Sequence, residues 1–270
     1  FAKEKDPKAE AYILAATAYY YLENYNEVIN FASKALPLIK TPPLNWYELL
    51  LAGYYETDDL NNAAIILENI ILKYPARKKY WIQLAGIYQR LEKDKKALAI
   101  YELAYAKDFL KKKQVVQLCK NYLYFEMPYK AAIVLEKEMA TGRIDTTLEM
   151  LNMLVDAWIL SQENEKAESV FNEIISSYND EKSRLRLGQL HIENEDWGKA
   201  IEVLNIELET EDTTLISKIN LLLGIALFNS ENIAEARESF SQALSDKTTQ
   251  EQAKWWLDHI KRKNEVTKSS

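Results

Sequence analysis

Cysteine is nearly absent from this chain: Cys119 stands alone in 270 residues. A single thiol forms no internal disulfide, which excludes a small scaffold held by cross-links and leaves the compartment open. Histidine is almost as rare, at His191 and His259. One thiol and two isolated imidazoles make no zinc cluster and no Cys-His or Ser-His-Asp nucleophile. Glycine and proline number six each. The glycines are scattered, and none falls in a phosphate-cradling G-x-G-x-x-G or G-x-x-x-x-G-K-[ST] run. No stretch of about 20 apolar residues occurs, so no segment is expected to cross a bilayer as a helix. The chain begins at Phe1 rather than Met, which leaves room for a leader or upstream segment.

What the chain has instead is 48% hydrophobic residues, 17 tyrosines and a net charge of −7. Few breakers and many apolar residues suit long packed helices. The charge is uneven. Residues 73–137 carry 15 Lys and Arg against six Asp and Glu, a local +9 that leaves −16 for the rest. Such a band steers an acidic partner, or is no more than solvated helix surface. With a pI near 5.2, the chain is not expected to bind nucleic acid.

One unit recurs. Trp81, Leu84-Ala85 and Tyr88, then Ala97, Tyr101 and Ala104, mark one copy. Tyr47, Leu50-Leu51 and Tyr54, then Ala63, Leu67, Ile70 and Pro75, mark the copy before it, 34 residues earlier. Trp81, Leu84, Ala85 and Tyr88 fall at i, i+3, i+4 and i+7, one face of a helix. Ala97, Tyr101 and Ala104 share a face of a second helix. One such pair cannot bury its apolar face alone, so several must stack. The second-helix anchors recur at Val28, Ala63, Ala97, Ala131, Ala167, Ala200 and Ala236, spaced 35, 34, 34, 36, 33 and 36. Period and pattern are those of the tetratricopeptide (TPR) helix-turn-helix repeat.

The expectation is therefore an all-α fold, a right-handed α-solenoid of about seven TPR-type repeats forming a single domain over residues 1–263. A C-terminal capping helix is expected at 246–263, with Ala253, Trp256, Leu257 and Ile260 on one face. Residues 1–7 read as a frayed lead-in and 264–270 as a disordered tail. Cys119, 34 after Ala85, reads as a small buried residue, and His191, at the register of Tyr88, as a packed aromatic substitute. Glu138 and Glu207 stand where a small residue is expected near the end of a second helix.

Helical carboxylate–lysine pairs such as Glu92 and Lys96 read as surface support, so no catalytic residue, cofactor, metal or small-molecule substrate is expected. Recognition of a protein or peptide remains. In such a solenoid the first helices line a concave groove, and the register places Tyr55, Lys79, Gln89, Arg90, Lys120, Tyr124, Asn152 and Asp156 in it. Amides and Arg there suit a peptide backbone, and Tyr suits its side chains. The bland alternative is that these residues are only solvated. The Lys/Asn/Arg carboxylate clamp by which some repeats of this type hold acidic C-terminal tails is not present in full.

Four runs carry a narrower likeness: Tyr74-Pro-Ala-Arg-Lys-Lys-Tyr-Trp-Ile-Gln-Leu-Ala-Gly-Ile-Tyr88, Pro128-Tyr-Lys-Ala-Ala-Ile-Val-Leu-Glu136, Arg186-Leu-Gly-Gln-Leu190 and Gln252-Ala-Lys-Trp-Trp-Leu257. In these the chain resembles the TPR component encoded with bacterial TonB systems. That resemblance implies a periplasmic accessory of TonB, ExbB and ExbD in energised outer-membrane uptake, with no catalytic residues to carry over. The other reading is a general adaptor or assembly scaffold, cytoplasmic or lipoprotein-anchored, unrelated to transport.

Overall fold

The computed structural model describes residues 7–269, with side chains from 8 to 263. Residues 1–6 of the expected lead-in, and residue 270, lie outside the described residues. Helix contacts group into two compact units, Phe1–Met127 and Pro128–Ser270. Unit 1 holds α1 (Pro7–Tyr21), α2 (Tyr25–Ala35), α3 (Leu44–Glu56), α4 (Leu60–Lys73), α5 (Lys78–Arg90), α6 (Asp94–Ala106) and α7 (Lys112–Tyr124). Unit 2 holds α8 (Pro128–Ala140), α9 (Leu148–Leu160), α10 (Asn164–Tyr178), α11 (Glu181–Glu193), α12 (Trp197–Leu204), α13 (Thr213–Asn229), α14 (Ile233–Gln242) and α15 (Lys247–Ser269). No strand occurs among the described residues, so the all-α expectation holds.

The turn inside each repeat is built the same way. Glu23, Asp58, Glu92, Glu126, Gln162, Glu195 and Glu231 adopt the left-handed conformation, with φ between 53° and 64°. Their spacing reproduces that of the second-helix anchors. The next residue donates its N–H back to a carbonyl in the last turn of the first helix: Asp59 to Tyr54 at 2.9 Å, Lys93 to Tyr88 at 2.8 Å, Asp196 to His191 at 2.8 Å. This 6→1 bond is a Schellman-type closure. Glycine usually takes the left-handed place, because a side chain there costs about 1 kcal/mol or more. Six of the seven residues here are acidic, two positions ahead of the second helix. A carboxylate near a helix N-terminus meets the positive end of its dipole, which offsets part of that cost.

Packing follows the anchors. Val28 and the six alanines are all at most 1% exposed, so within each unit the second helices approach their partners closely at these positions. Cys119 is fully buried and His191 is 2% exposed, as their register requires. Successive repeats are also joined by polar bonds one period apart. The Tyr88 hydroxyl donates to Glu68, and that of Tyr122 donates to Glu102 at 3.1 Å, the same contact repeated 34 residues on. Tyr74 donates to the Pro42 carbonyl at 2.8 Å, and Tyr178 to that of Thr146 at 3.2 Å.

Glu138 and Glu207 resolve differently. Glu138 takes the small-residue place and is buried, but Arg143 Nε reaches its carboxylate at 2.8 Å. The longer loop near Gly142 supplies that partner. Glu207 is not in a helix, because α12 ends three residues before it. Four acids, Glu207, Glu209, Glu211 and Asp212, follow that end, and negative charge is unfavourable at a helix C-terminus.

The last helix covers the last repeat as expected. Ala253 and Ile260 are buried, and Trp256 stacks on Phe240 of α14 at 5.4 Å with rings 4° from parallel. The helix continues to Ser269, past the expected end at 263 and through part of the stretch expected to be disordered. Residues 261–269 contain neither Gly nor Pro to stop it.

Candidate protein-binding face

In unit 1 the exposed side of the first helices carries rung-to-rung polar pairs. Lys79 of α5 meets Glu48 of α3 at 2.9 Å, with their side chains 62% and 39% exposed. Tyr80 donates to the same carboxylate. Hydrogen bonds from Tyr80 and then Lys79 hold the Glu48 carboxyl below its ordinary pKa. At the turns that follow, Arg90 Nη2 at the end of α5 reaches Asp58 Oδ1 of the α3–α4 turn at 2.9 Å, and Lys93 of the α5–α6 turn reaches Asn61 of α4 at 2.8 Å. These partners are separated by 31 or 32 residues, one repeat less a short step. Exposed pairs of this kind contribute only about 0–1 kcal/mol. A partner's charges can therefore compete for them at small cost.

Tyr55 differs from the expectation. It is half-buried and packs against the unit 1 core; burial raises its hydroxyl pKa, while nearby Arg90 opposes that shift. Its phenol belongs partly to the inter-helix packing and only its edge to the surface. Gln89 is half-buried on α5. Lys120 and Tyr124 lie one turn apart on α7, both exposed, with Tyr124 73% so. Tyr124 occupies the register of Arg90, 34 residues later.

The basic band takes in Lys79, Arg90 and Lys120 of this face. Trp81 and Phe109 meet edge-on at 6.3 Å. Lys78 lies over Phe109 at 5.4 Å and Lys107 over Trp81 at 5.7 Å. The first residue of α5 and the loop before α7 thus present lysines side by side, steadied by aromatic faces.

In unit 2, Asn152 and Asp156 are brought together by a residue the sequence reading left out of the site. Arg186 of α11 donates to Asn152 Oδ1 at 3.2 Å and to Asp156 Oδ1, with its guanidinium over Phe171 at 5.2 Å. Glu48, Asp58 and Arg186 all reach across to the neighbouring first helix. Opposite or amide-matched residues 30 to 34 apart were the signal that would have found these pairings.

Among the described residues, no group of three or more His, Cys, Asp or Glu is placed to hold a metal, and no helix is long and apolar enough to cross a membrane. No protein-family model and no curated protein matches the chain. Among solved structures it is similar to a complex, Naa15/Naa10 bound to HypK-THB, at 12% identity and a TM-score of 0.68; the match spans 93% of this chain and 39% of that one. It is similar to YrrB, a TPR protein with an unusual peptide-binding site, at 18% identity over 71% of this chain and 99% of that one, TM-score 0.50. A tetratricopeptide repeat protein from Parabacteroides merdae matches at 16% identity over 94% and 99%, TM-score 0.42. At these identities the first two likenesses establish the fold alone: stacked helix-turn-helix repeats of the tetratricopeptide type.

Proposed function

We propose that the chain is a non-enzymatic protein-interaction scaffold. Its first-helix face in unit 1 holds an extended or helical segment of a partner protein. The observation that carries this is the row of exposed, exchangeable polar pairs, Glu48–Lys79 and Asp58–Arg90, with exposed Tyr124 and the lysines Lys78 and Lys107. An acidic or mixed segment is steered by the band, takes over the Lys79 and Arg90 hydrogen bonds, and packs on the tyrosine. YrrB, which shares the fold, has a peptide-binding site.

The finer reading makes the partner a component of a TonB-ExbB-ExbD system and the compartment the periplasm. Its support is the four sequence runs named above. The competing reading is an adaptor unconnected with transport. Affinity capture from membranes followed by mass spectrometry tests both levels. Arg90→Ala with Tyr124→Ala leaves the core untouched and is expected to change stability by under about 0.5 kcal/mol per site; Tyr55 is spared because it packs on the core. Loss of captured partners in that variant supports the face, and undiminished capture refutes it. TonB, ExbB or ExbD among the partners lost supports the finer reading; a set without them sinks it.

A further inference from the structure

The sixth repeat departs from its neighbours, and the departure opens a cleft. α12 stops after eight residues, while α6 runs 13 and α10 runs 15. The last turns of a full-length second helix are missing, and a cavity of about 270 Å³ stands beside the stump. Ile206 and Leu208, Glu235 and Glu238 of α14, and the buried Leu223 and Leu227 of α13 are among the residues that line it. At about 30 Å³ per water, this is room for roughly nine waters. It falls just short of the ~300–1,000 Å³ usual for small-molecule sites, a size that suits an inserted side chain.

The two charged residues that line the cleft are Glu235 and Glu238, and no Lys or Arg lines it. Arg237 stands between them on α14 but outside the lining, and Glu207, Glu209, Glu211 and Asp212 follow the stump in sequence. Glu235 and Glu238 are exposed and lie at i, i+3 on α14, so their carboxylates are neighbours. Apolar Ile206 and Leu208 beside two carboxylates fit a long aliphatic stem that ends in a cation. Arginine fits best, since its planar fork meets carboxylates with two hydrogen bonds at once.

We propose that this cleft binds a basic amphipathic segment of a partner protein. An arginine lays its stem on Ile206 and Leu208 and turns its guanidinium to Glu235 and Glu238, while an adjacent apolar residue of the segment packs beside it. The cleft lies on the second-helix side of unit 2 and does not rest on the reading of the first-helix face in unit 1.

The probe is a short labelled peptide of alternating arginine and leucine, with a serine–leucine peptide as its uncharged control, followed by fluorescence anisotropy on the full chain. Two variants address the site. Glu235→Gln with Glu238→Gln removes both lining charges from exposed positions, and Gln242→Trp fills the cleft without changing charge. Each is expected to weaken the arginine–leucine peptide by about tenfold or more. Glu165→Gln with Glu173→Gln, two exposed acids of α10, is expected to change it by less than about twofold, and the serine–leucine peptide is expected to bind poorly throughout. Equal losses in the α10 variant would reduce the effect to general charge attraction and overturn the proposal. So would an unchanged affinity in Gln242→Trp, or no binding by the wild-type chain. Self-association of the wild-type chain that the Glu235/Glu238 variant abolishes would make the occupant a second copy and overturn the choice of partner. Arg90→Ala with Tyr124→Ala is expected to leave peptide binding unchanged, which separates failure of this site from failure of the face in unit 1.

Discussion

A β-carbon built on Gly224 would stand 2.6 Å from Cε1 of Phe240, well inside contact distance, whereas one on Gly86 would meet nothing within 4 Å. The two glycines share the helix class but not the environment, and opposite outcomes follow. Gly224→Leu overpacks the seventh repeat and is expected to cost about 1–3 kcal/mol. Gly86→Ala, at a half-buried α5 position with open space for the methyl, is expected to gain about 0.5–1 kcal/mol from helix propensity. Urea midpoints at constant slope check both; equal midpoints would mean that the register is wrong. His191 supplies a pH dependence. Burial is the main cause that lowers its pKa, and Glu168 opposes it. The folded state therefore binds this proton less readily than the unfolded chain does. Stability from this site is complete above about 6.5 and falls as the pH drops from there towards the lower folded value. His191→Tyr, the residue type at this register in Tyr88 and Tyr122, is expected to flatten melting temperature against pH across that window. A wild-type profile already flat below 6.5 would refute the assignment.

At the scale of the helix, the repeat was legible because small residues recur at a fixed period. Seven anchors predicted from spacing alone are seven buried contacts. The left-handed turn residues were not legible, since Glu and Asp do not announce that conformation as Gly does. Their period became visible only through the backbone. The early end of α12 was written in the sequence but masked by the 34-residue pattern. Ile206, Leu208 and the acids between and after them alternate with a period of two, which is the signature of extended chain, and no Gly or Pro marks the break. The face was legible in part: Lys79, Arg90 and Tyr124 lie on the surface, whereas Tyr55 is half-buried, because its ring fills space between helices that a register argument treats as empty. The cap was legible from the Trp256, Leu257 and Ile260 stripe, and it carries a prediction. Deleting residues 248–270 removes Trp256 from Phe240 and exposes Phe228, which Trp256 also meets at 5.1 Å. The truncated chain is expected to melt lower and to self-associate, read by calorimetry and light scattering. A monomer with an unchanged melting temperature would show that α15 does not act as a cap.

At the scale of the molecule, charge is divided between the two units. Residues 1–127 carry 18 Lys and Arg against 15 acids, a net +3, while residues 128–270 carry 16 against 26, a net −10. The signs match the two proposed surfaces, one for an acidic segment in unit 1 and one for a basic segment in unit 2. Long-range attraction acts mainly on encounter rate, and it is screened by salt: the Debye length falls from ~30 Å at 0.01 M to ~3 Å at 1 M. A peptide of alternating glutamate and leucine is therefore expected to associate with the chain faster at low salt, with a dissociation rate that changes much less. Lys78→Gln with Lys107→Gln removes two charges from the basic band and should flatten the salt dependence of association. It should do so with little change in fold, because both ammonium groups lie over aromatic faces without filling the core. Stopped-flow traces across that salt range decide the matter. Association rates that ignore salt, or that the double variant leaves alone, would reduce the +9 band to solvated helix surface. The scaffold reading would then rest on the tyrosine and the exchangeable ion pairs of the first-helix face.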